Sequence, residues 1–522
     1  MKRNIYIIGV AALMCFGRAE AQERSLFDSL HYKAELQATV ASGDHNPLWL
    51  NANKYGLSSL KTTNGYLRGA LMRPLSLDNG RKWGVGYGVD AAVAAGFTST
   101  LVVQQAYVEG RWLKGVLSVG AKEYPMELKN PELSSGSQTL GINARPVPQV
   151  RLALPDYWSI PFTRGWLSLK GHIAYGKTTD DKWQKEFTGQ HHKYTEGSLY
   201  HSKAGYLKIG NPEEVLFSVE LGAEFATQFG GKSYRFLSDG SPDDVIQHES
   251  GVKGMLRALI PGGKDTVDDD YTGGAGNSLG SWLARFNFDC DEWGFSFYVD
   301  HFFEDHSSML FLDYNGYGQG SEWNVKKDRR YFLYALKDIQ LGLEIRFADA
   351  TWLNNILFEY LYSKYQSGPV YHDHDEVISD HLSGQDNFYN HSLYTGWQHW
   401  GQVMGNPLFL SPIYNSDQSI QVKNNRSQAI HLGFRGELFW GCHYRFLGTY
   451  LKGYGTYDIP YSEPRKTVSL LAEATYSFVN TSPLKGWSMR GALGLDFGKL
   501  LGDNYGIQLT LVKNGIIKKN RK

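Results

Sequence analysis

The chain has 522 residues, 42% hydrophobic and 14% aromatic, with 53 Lys plus Arg against 53 Asp plus Glu. A balanced charge is not a nucleic-acid signature, and a mean hydropathy of −0.38 does not exclude a membrane, because only alternate residues of a barrel strand face lipid. Of three cysteines, only Cys290 and Cys442 lie beyond the N-terminal apolar segment, too few for a disulfide framework and expected to be unpaired.

Lys2 and Arg3 precede an apolar stretch from Ile5 to Phe16, and Ala19-Glu20-Ala21 then forms an A-x-A site before Gln22. Residues 1–21 therefore read as a cleaved secretory signal and 22–522 as one mature β unit. No later stretch of 18 apolar residues exists, so a membrane-spanning mature chain has to close a barrel to satisfy its backbone.

Alternation carries that reading along the chain. Val215, Phe217, Val219, Leu221, Ala223 and Phe225 alternate with residues that include Glu220 and Glu224. The same period of two recurs from Ile339 to Phe347 and from Trp487 to Phe497, giving each segment one apolar and one wet face. Strands are predicted at 31–40, 64–73, 83–93, 101–110, 115–121, 147–153, 166–176, 203–209, 215–226, 281–289, 293–300, 308–314, 330–336, 339–347, 354–362, 426–438, 443–452, 466–478, 486–497 and 504–512. The fold class is all-β, a transmembrane antiparallel barrel of about eighteen strands, an even number as in single-chain bacterial barrels. Trp83, Trp112, Trp166, Tyr175, Trp293, Trp440 and Trp487 stand near strand ends, where interfacial girdles belong.

The wet faces carry Lys33, Glu35, Lys170, His172, Glu344, Arg346, Arg435, Glu473, Arg490 and Asp496, charges expected to pair across a partly plugged lumen. Between Asp239 and Asn277, Ser241 as N-cap and Pro242 at N1 predict a helical loop segment over about 241–260, ended by Pro261-Gly262-Gly263. The stretch from Ser367 to Asn425 has no regular alternation.

No enzymatic constellation stands. Gly276-Asn277-Ser278-Leu279-Gly280 matches G-x-S-x-G but precedes a strand, whereas a nucleophile elbow needs a helix after the Ser. His372 to Glu376 with His381 is expected to be a solvated loop rather than a metal site. Asp268-Asp269-Asp270 lacks EF-hand spacing. No cofactor, metal or catalytic residue is expected.

A set of short motifs is more telling. Pro47-Leu48-Trp49-Leu50-Asn51-Ala52-Asn53 with Gly56 comes first, then Leu133 to Ser137 and Asn143-Ala144-Arg145-Pro146-Val147-Pro148. Phe302-Phe303-Glu304-Asp305, Tyr389-Asn390-His391, Gly396-Trp397 and Gly405-Asn406-Pro407-Leu408 follow. In this order, behind a signal and across an alternating β chain, they resemble the Wzi-type capsule assembly family from about Tyr32 to Val512. The resemblance implies an outer-membrane barrel with short helical elements. It also implies a non-enzymatic, lectin-like role in attaching or organising capsular polysaccharide at the cell surface. Lys513 to Lys522, read as a basic C-terminal tail, departs from the terminal aromatic residue of common barrels.

Sugar recognition by itself favours aromatic faces with amides, carboxylates, His and Arg around them. Asp386 to His391 and Trp397-Gln398-His399-Trp400 have that mix, as does Trp183 to Tyr194. The candidate polysaccharide-binding residues are accordingly Tyr389, His391, Trp397, His399 and Trp400; Trp397 and Trp400 packing a loop on the barrel rim is the alternative at those two. Arg145 is expected to organise a turn or a lumen pairing. The expected protein is a monomer in the bacterial outer membrane whose partners are capsular polysaccharide and lipid, not nucleic acid. An oligosaccharide porin is the alternative.

Overall fold

The computed structural model describes residues 29–260, 276–304, 316–318, 320–328, 337–348, 351–372, 375–378, 384–478 and 483–517. The expected signal at 1–21, the predicted strands at 308–314 and 330–336, the Asp268–Asp270 run, and Asp373, His374 and His381 of the polar loop lie outside them.

Eighteen strands form one closed antiparallel meander. They are β1 Leu30–Ser42, β2 Thr63–Arg73, β3 Trp83–Ala95, β4 Leu101–Trp112, β5 Gly115–Ala121 and β6 Gln149–Ser159. Next come β7 Leu167–Lys177, β8 Leu199–Ile209, β9 Phe217–Phe229, β10 Asn277–Asp289, β11 Trp293–Glu304 and β12 Ile339–Phe347. The last six are β13 Asn355–Tyr362, β14 Ser427–Phe439, β15 Cys442–Gly455, β16 Pro460–Ser477, β17 Trp487–Gly498 and β18 Asn504–Ile517. β18 returns to β1 in unbroken register from Leu30↔Ile517 to Ser42↔Tyr505, so the sheet has no free edge.

The cross-section is inside out. On β1, Leu36 and Val40 are exposed while Glu35, Gln37 and Thr39 are buried; on β3, Val85, Val89 and Val93 are exposed while Asp90 is fully buried. An apolar outside and a polar, buried inside are what a lipid-embedded barrel requires. A bulge opposite Asp90/Ala91 lets both Gln104 and Gln105 turn inward, where both are buried. The chain is an outer-membrane β-barrel of eighteen strands.

Connections alternate in length. Those at 43–62, 122–148, 178–198, 230–276, 305–338 and 363–426 leave one end, and short turns such as 113–114, 290–292 and 440–441 close the other. Long loops mark the extracellular end of such barrels. Trp83, Trp112, Trp158, Trp166, Trp293, Trp352 and Trp440 all stand exposed at the short-turn end, and Trp83 stacks on Trp112 with centroids 5.9 Å apart. Tyr175 lies at the opposite rim, so these seven exposed tryptophans mark the periplasmic interface.

Three expectations need correction. The segment 241–260 is not one helix: Pro242–Gln247 pairs as a strand with Lys232–Phe236, and only α1, Val252–Leu259, is helical. Ser241 donates its N–H to Asp239 (2.9 Å) and its carbonyl accepts from Leu237 (2.9 Å), so it closes a hairpin turn with Gly240 at φ 81° instead of capping a helix. The basic tail is strand as far as Ile517, with Lys513 opposite Ala34 and its ammonium 5.5 Å from the Trp487 ring. Among the described residues the lumen charges do not pair from wall to far wall. They pair within one arc of the wall, as Arg285 of β10 with Glu344 of β12 across β11 (2.7 Å) and Arg445 with Glu473 of the neighbouring strand (3.0 Å), or with a plug.

That plug is made of residues from the connections 43–62, 122–148, 363–370 and 384–426 folded back into the lumen. It carries its own apolar core. Leu48, Trp49, Leu50, Leu133 and Leu408 pack on Leu357, Leu447 and Leu471 of the wall. Phe388, Tyr389, Trp397, Val403 and Phe409 pack on Tyr200, Leu279 and Phe302. Cys290 and Cys442 are both free thiols.

Candidate functional site

The motifs scattered along the sequence meet inside the barrel. Asn53 donates its backbone N–H to the Asn143 side chain (3.0 Å) and its amide to Ser135 O (3.0 Å). Asn143 in turn donates to Val403 O (3.1 Å), and Asn406 to Gly136 O (3.1 Å). The Tyr389 hydroxyl donates to Gln138 O and accepts the Asn406 N–H (3.0 Å). Phe302 lies edge-on to Phe388 (4.6 Å) and Tyr389 (5.4 Å). Gly405 is required by this crowding: a Cβ there would sit 2.0 Å from the Tyr389 hydroxyl and 2.3 Å from Gln138 O. Amides and small residues are what three irregular segments need to satisfy one another's backbone away from water.

The plug is tied to the wall by buried charge. Lys129 reaches Asp300 and Gln340 at 2.6 Å each and Gly136 O at 3.1 Å. Glu359 accepts from Ser134 Oγ (2.6 Å) and Ser135 N (2.8 Å) and from the Tyr298 hydroxyl. Glu344 accepts from Asn130 (2.8 Å), Lys170 pairs with Glu127 (2.5 Å), and Arg435 pairs with Glu132. On either side of residues 126–134 the periplasmic half stays hollow, with charged cavities of about 550 and 670 Å³. The extracellular half is packed more tightly, with a smaller cavity of about 110 Å³ between residues 139–147 and the wall at Tyr200 and Glu224.

On the extracellular side of the plug lies a polar depression of about 550 Å³. Its floor and walls come from 386–395, 420–423, the turn 456–459, Lys193 and Glu304. The loop is built as a frame. Asn390 donates to Asn387 Oδ1 (2.7 Å) and to Val422 O (2.9 Å) and accepts the Val422 N–H (2.8 Å); Asn387 donates to Asp458 (2.9 Å). Lys193 donates to the carbonyls of His391 and Ser392, and burial pulls its ammonium down to about 8. His391 Nδ1 accepts the N–H groups of Leu393 (3.1 Å) and Tyr394 (3.2 Å), which puts its proton on Nε2. Burial, then the Lys193 charge, push that ring down to about 3. A neutral imidazole N–H, amides, carboxylates and the exposed Ile459 side chain therefore face one cavity, a set suited to hydroxyls and C–H faces.

Of the predicted site residues, the fold separates two groups. Tyr389 and Trp397 have no exposed surface; the Trp397 indole donates to Thr139 O (3.0 Å) and stacks on Tyr200 (5.7 Å). An indole with no exposed surface has no face to offer a polymer arriving from outside, so both residues serve the plug. His399 is buried as well: its Nε2 accepts from Thr179 N (3.1 Å) and its Nδ1 bonds Arg145 O (2.9 Å), and burial lowers its pKa. His391 lines the extracellular depression. Trp400 keeps partial exposure elsewhere on the plug's rim, with the Arg145 guanidinium 4.4 Å from its ring and its N–H 3.2 Å from Thr179 Oγ1; Arg145 also donates to Thr98 (2.7 Å), tying the plug to the connection 96–100. Sequence reasoning pointed to 386–391 and to the neighbourhood of Lys193 but missed Gln421, Lys423 and Asp458, which sit in short irregular pieces with no pattern to single them out. Ser278 of the G-x-S-x-G match lies in β10 beside Thr227 (3.1 Å), with no elbow. Among the described residues no group of three His, Cys, Asp or Glu is placed to hold a metal.

No family model matches the chain, and no curated protein matches it. Among solved structures it is similar to Wzi of Escherichia coli, described as an outer membrane protein involved in group 1 capsule assembly and a carbohydrate-binding β-barrel. That likeness has a TM-score of 0.52 at 12% identity over 94% of this chain and 85% of that one. Other matches are Pseudomonas aeruginosa OprD (TM-score 0.44, 12% identity, 96% and 98% covered) and Acinetobacter baumannii OccAB1 (0.41, 11%, 96% and 99%). At these identities the likeness is one of fold.

Proposed function

We propose that the protein is a non-enzymatic, monomeric outer-membrane factor that binds capsular polysaccharide non-covalently in the depression framed by Asn387, Asn390, His391, Gln421 and Asp458. The observation that carries this reading is the apolar plug core packed across the extracellular half of the lumen with a polar cavity on its outer side: a recognition surface is present where a porin would need an entrance. The lectin-like resemblance of the motifs and the Wzi-like fold support it. The carboxylates of Glu304, Asp386 and Asp458 against Lys193 and Lys423 favour neutral or amino sugars over uronates, since like charges repel most where water is partly excluded. On an array of defined glycans, the protein is expected to retain neutral or amino-sugar oligomers more strongly than acidic ones of equal length; the reverse order contradicts the reading.

Two further results are expected. In planar bilayers the purified protein gives no large stable conductance, whereas a porin gives one. Binding measured by calorimetry stays constant from about pH 5.5 to 7, since His391 is neutral throughout, and changes as pH passes about 8, where Lys193 gives up its charge. A midpoint between about 6 and 7 would assign the site to an ordinary histidine. In cells, loss of the protein releases capsule into the medium while polymer synthesis continues.

A further inference from the structure

Near the extracellular rim, the lipid-facing side of β7, β8 and β9 carries residues that a lipid wall does not tolerate bare. Tyr175, His201, Lys203 and Thr227 occupy outward positions there, yet His201 and Thr227 are fully or almost fully buried. What covers them is α1. Tyr175 donates its hydroxyl to Met255 O (2.8 Å), and Lys203 donates to Leu259 O, an ammonium on the negative end of the helix. The helix docks through its small side: Gly254 and Ala258, one turn apart, are its buried residues. It is therefore strapped to the outer wall of the barrel, not folded over the mouth.

Its opposite side is apolar and open. Val252 is 74% exposed, Leu256 56% and Ile260 69%, with Met255 beside them. At 100° per residue these four fall in one sector facing away from the wall, and Lys253 and Arg257, four apart, share the flank next to it. Four large apolar side chains in nine residues are not what a water-facing loop requires. They continue the exposed apolar wall formed below them by Leu221 and Phe217 of β9, at the level where β7, β8 and β9 reach their extracellular ends.

We propose that α1 is an interfacial anchor: its apolar sector is immersed among the acyl chains of the outer leaflet, and Lys253 and Arg257 lie at headgroup level. Continuity with the lipid-facing wall selects lipid as the occupant, and a short amphipathic helix with basic residues on one flank is suited to that plane. The helix thereby covers a polar patch of wall and fixes the height of the loops that frame the depression above it.

The test uses full-length protein carrying Cys290→Ser and Cys442→Ser, with Leu256→Cys labelled by an environment-sensitive fluorophore. It is reconstituted in phosphatidylcholine vesicles, part of whose lipid bears a nitroxide near the headgroup end of an acyl chain. Leu221→Cys on the barrel wall is the immersed reference and Ser416→Cys the aqueous one; heat-modifiable gel mobility selects folded barrels. Quenching at position 256 of about half or more of that at 221, with little quenching by iodide, is the expected result. Quenching no greater than at 416, with free access to iodide, overturns the proposal in favour of water. Protection from both quenchers overturns it in favour of a second copy of the chain.

Discussion

Replacing Asp300 by Ala is expected to turn a silent barrel into a leaky one. Lys129 is 1% and Asp300 0% exposed at the side chain, and their 2.6 Å pair joins residues 126–139 to β11. Removing the carboxylate strands an ammonium in the packed lumen, a change that costs about 3–5 kcal/mol when no water reaches the site, and it also frees the Gln138 N–H that Asp300 accepts at 3.2 Å. The wall itself is held by backbone ladders closed on themselves, so the loss falls on the plug. Intermittent conductance steps should appear in planar bilayers, with faster hydrogen exchange across 126–139 and unchanged heat-modifiable mobility. The double variant Lys129→Met, Asp300→Leu, in which no charge is left unpaired, should return to within about 1–2 kcal/mol of the parent and stay silent. A leaky double variant would show that the pair holds the plug by more than its charge.

The second large effect separates packing from recognition. Trp397→Ala removes an indole buried against Tyr200 and leaves Thr139 O without its donor, for an expected loss of about 3–5 kcal/mol of plug stability. Gln421→Ala with Asp458→Ala trims the depression's outer edge, where side chains are open to water and stability should move by under about 1 kcal/mol. The first variant should lose hydrogen-exchange protection throughout 388–409. The second should keep it and bind polysaccharide at least about tenfold more weakly, or about 1.4 kcal/mol. If Trp397→Ala kept full protection while losing all binding, the assignment of Trp397 to the plug would be wrong.

The strands were legible because lipid imposes a period of two along most of them, as Leu36, Ala38 and Val40 against Gln37 and Thr39 show on β1. Boundaries drifted where a strand continues without alternation, as in β6, whose pairing with β7 breaks between Leu154 and Trp158, or in Lys513–Ile517, which stays in register because β1 begins at Leu30. Residues 241–247 were misread because local capping signals compete with a partner strand 232–236 that no local rule can see. The motifs were noticed as a set, but their amides and aromatics carry the same chemistry whether they bind a sugar or another loop. Only burial distinguishes them: Tyr389 and Trp397 are enclosed, while His391, two residues from Tyr389, reaches the depression. Gln421 and Asp458 join that site across the mouth of the barrel, a neighbourhood set by strand order and not by sequence.

The most direct measurement is retention of purified capsular polysaccharide on the immobilised barrel, comparing the parent with Gln421→Ala, Asp458→Ala at matched hydrogen-exchange protection of the plug. Retention by the parent, and a loss of about tenfold or more in the variant, is the predicted result. Equal retention by both, or none by the parent, would contradict polysaccharide recognition in the extracellular depression.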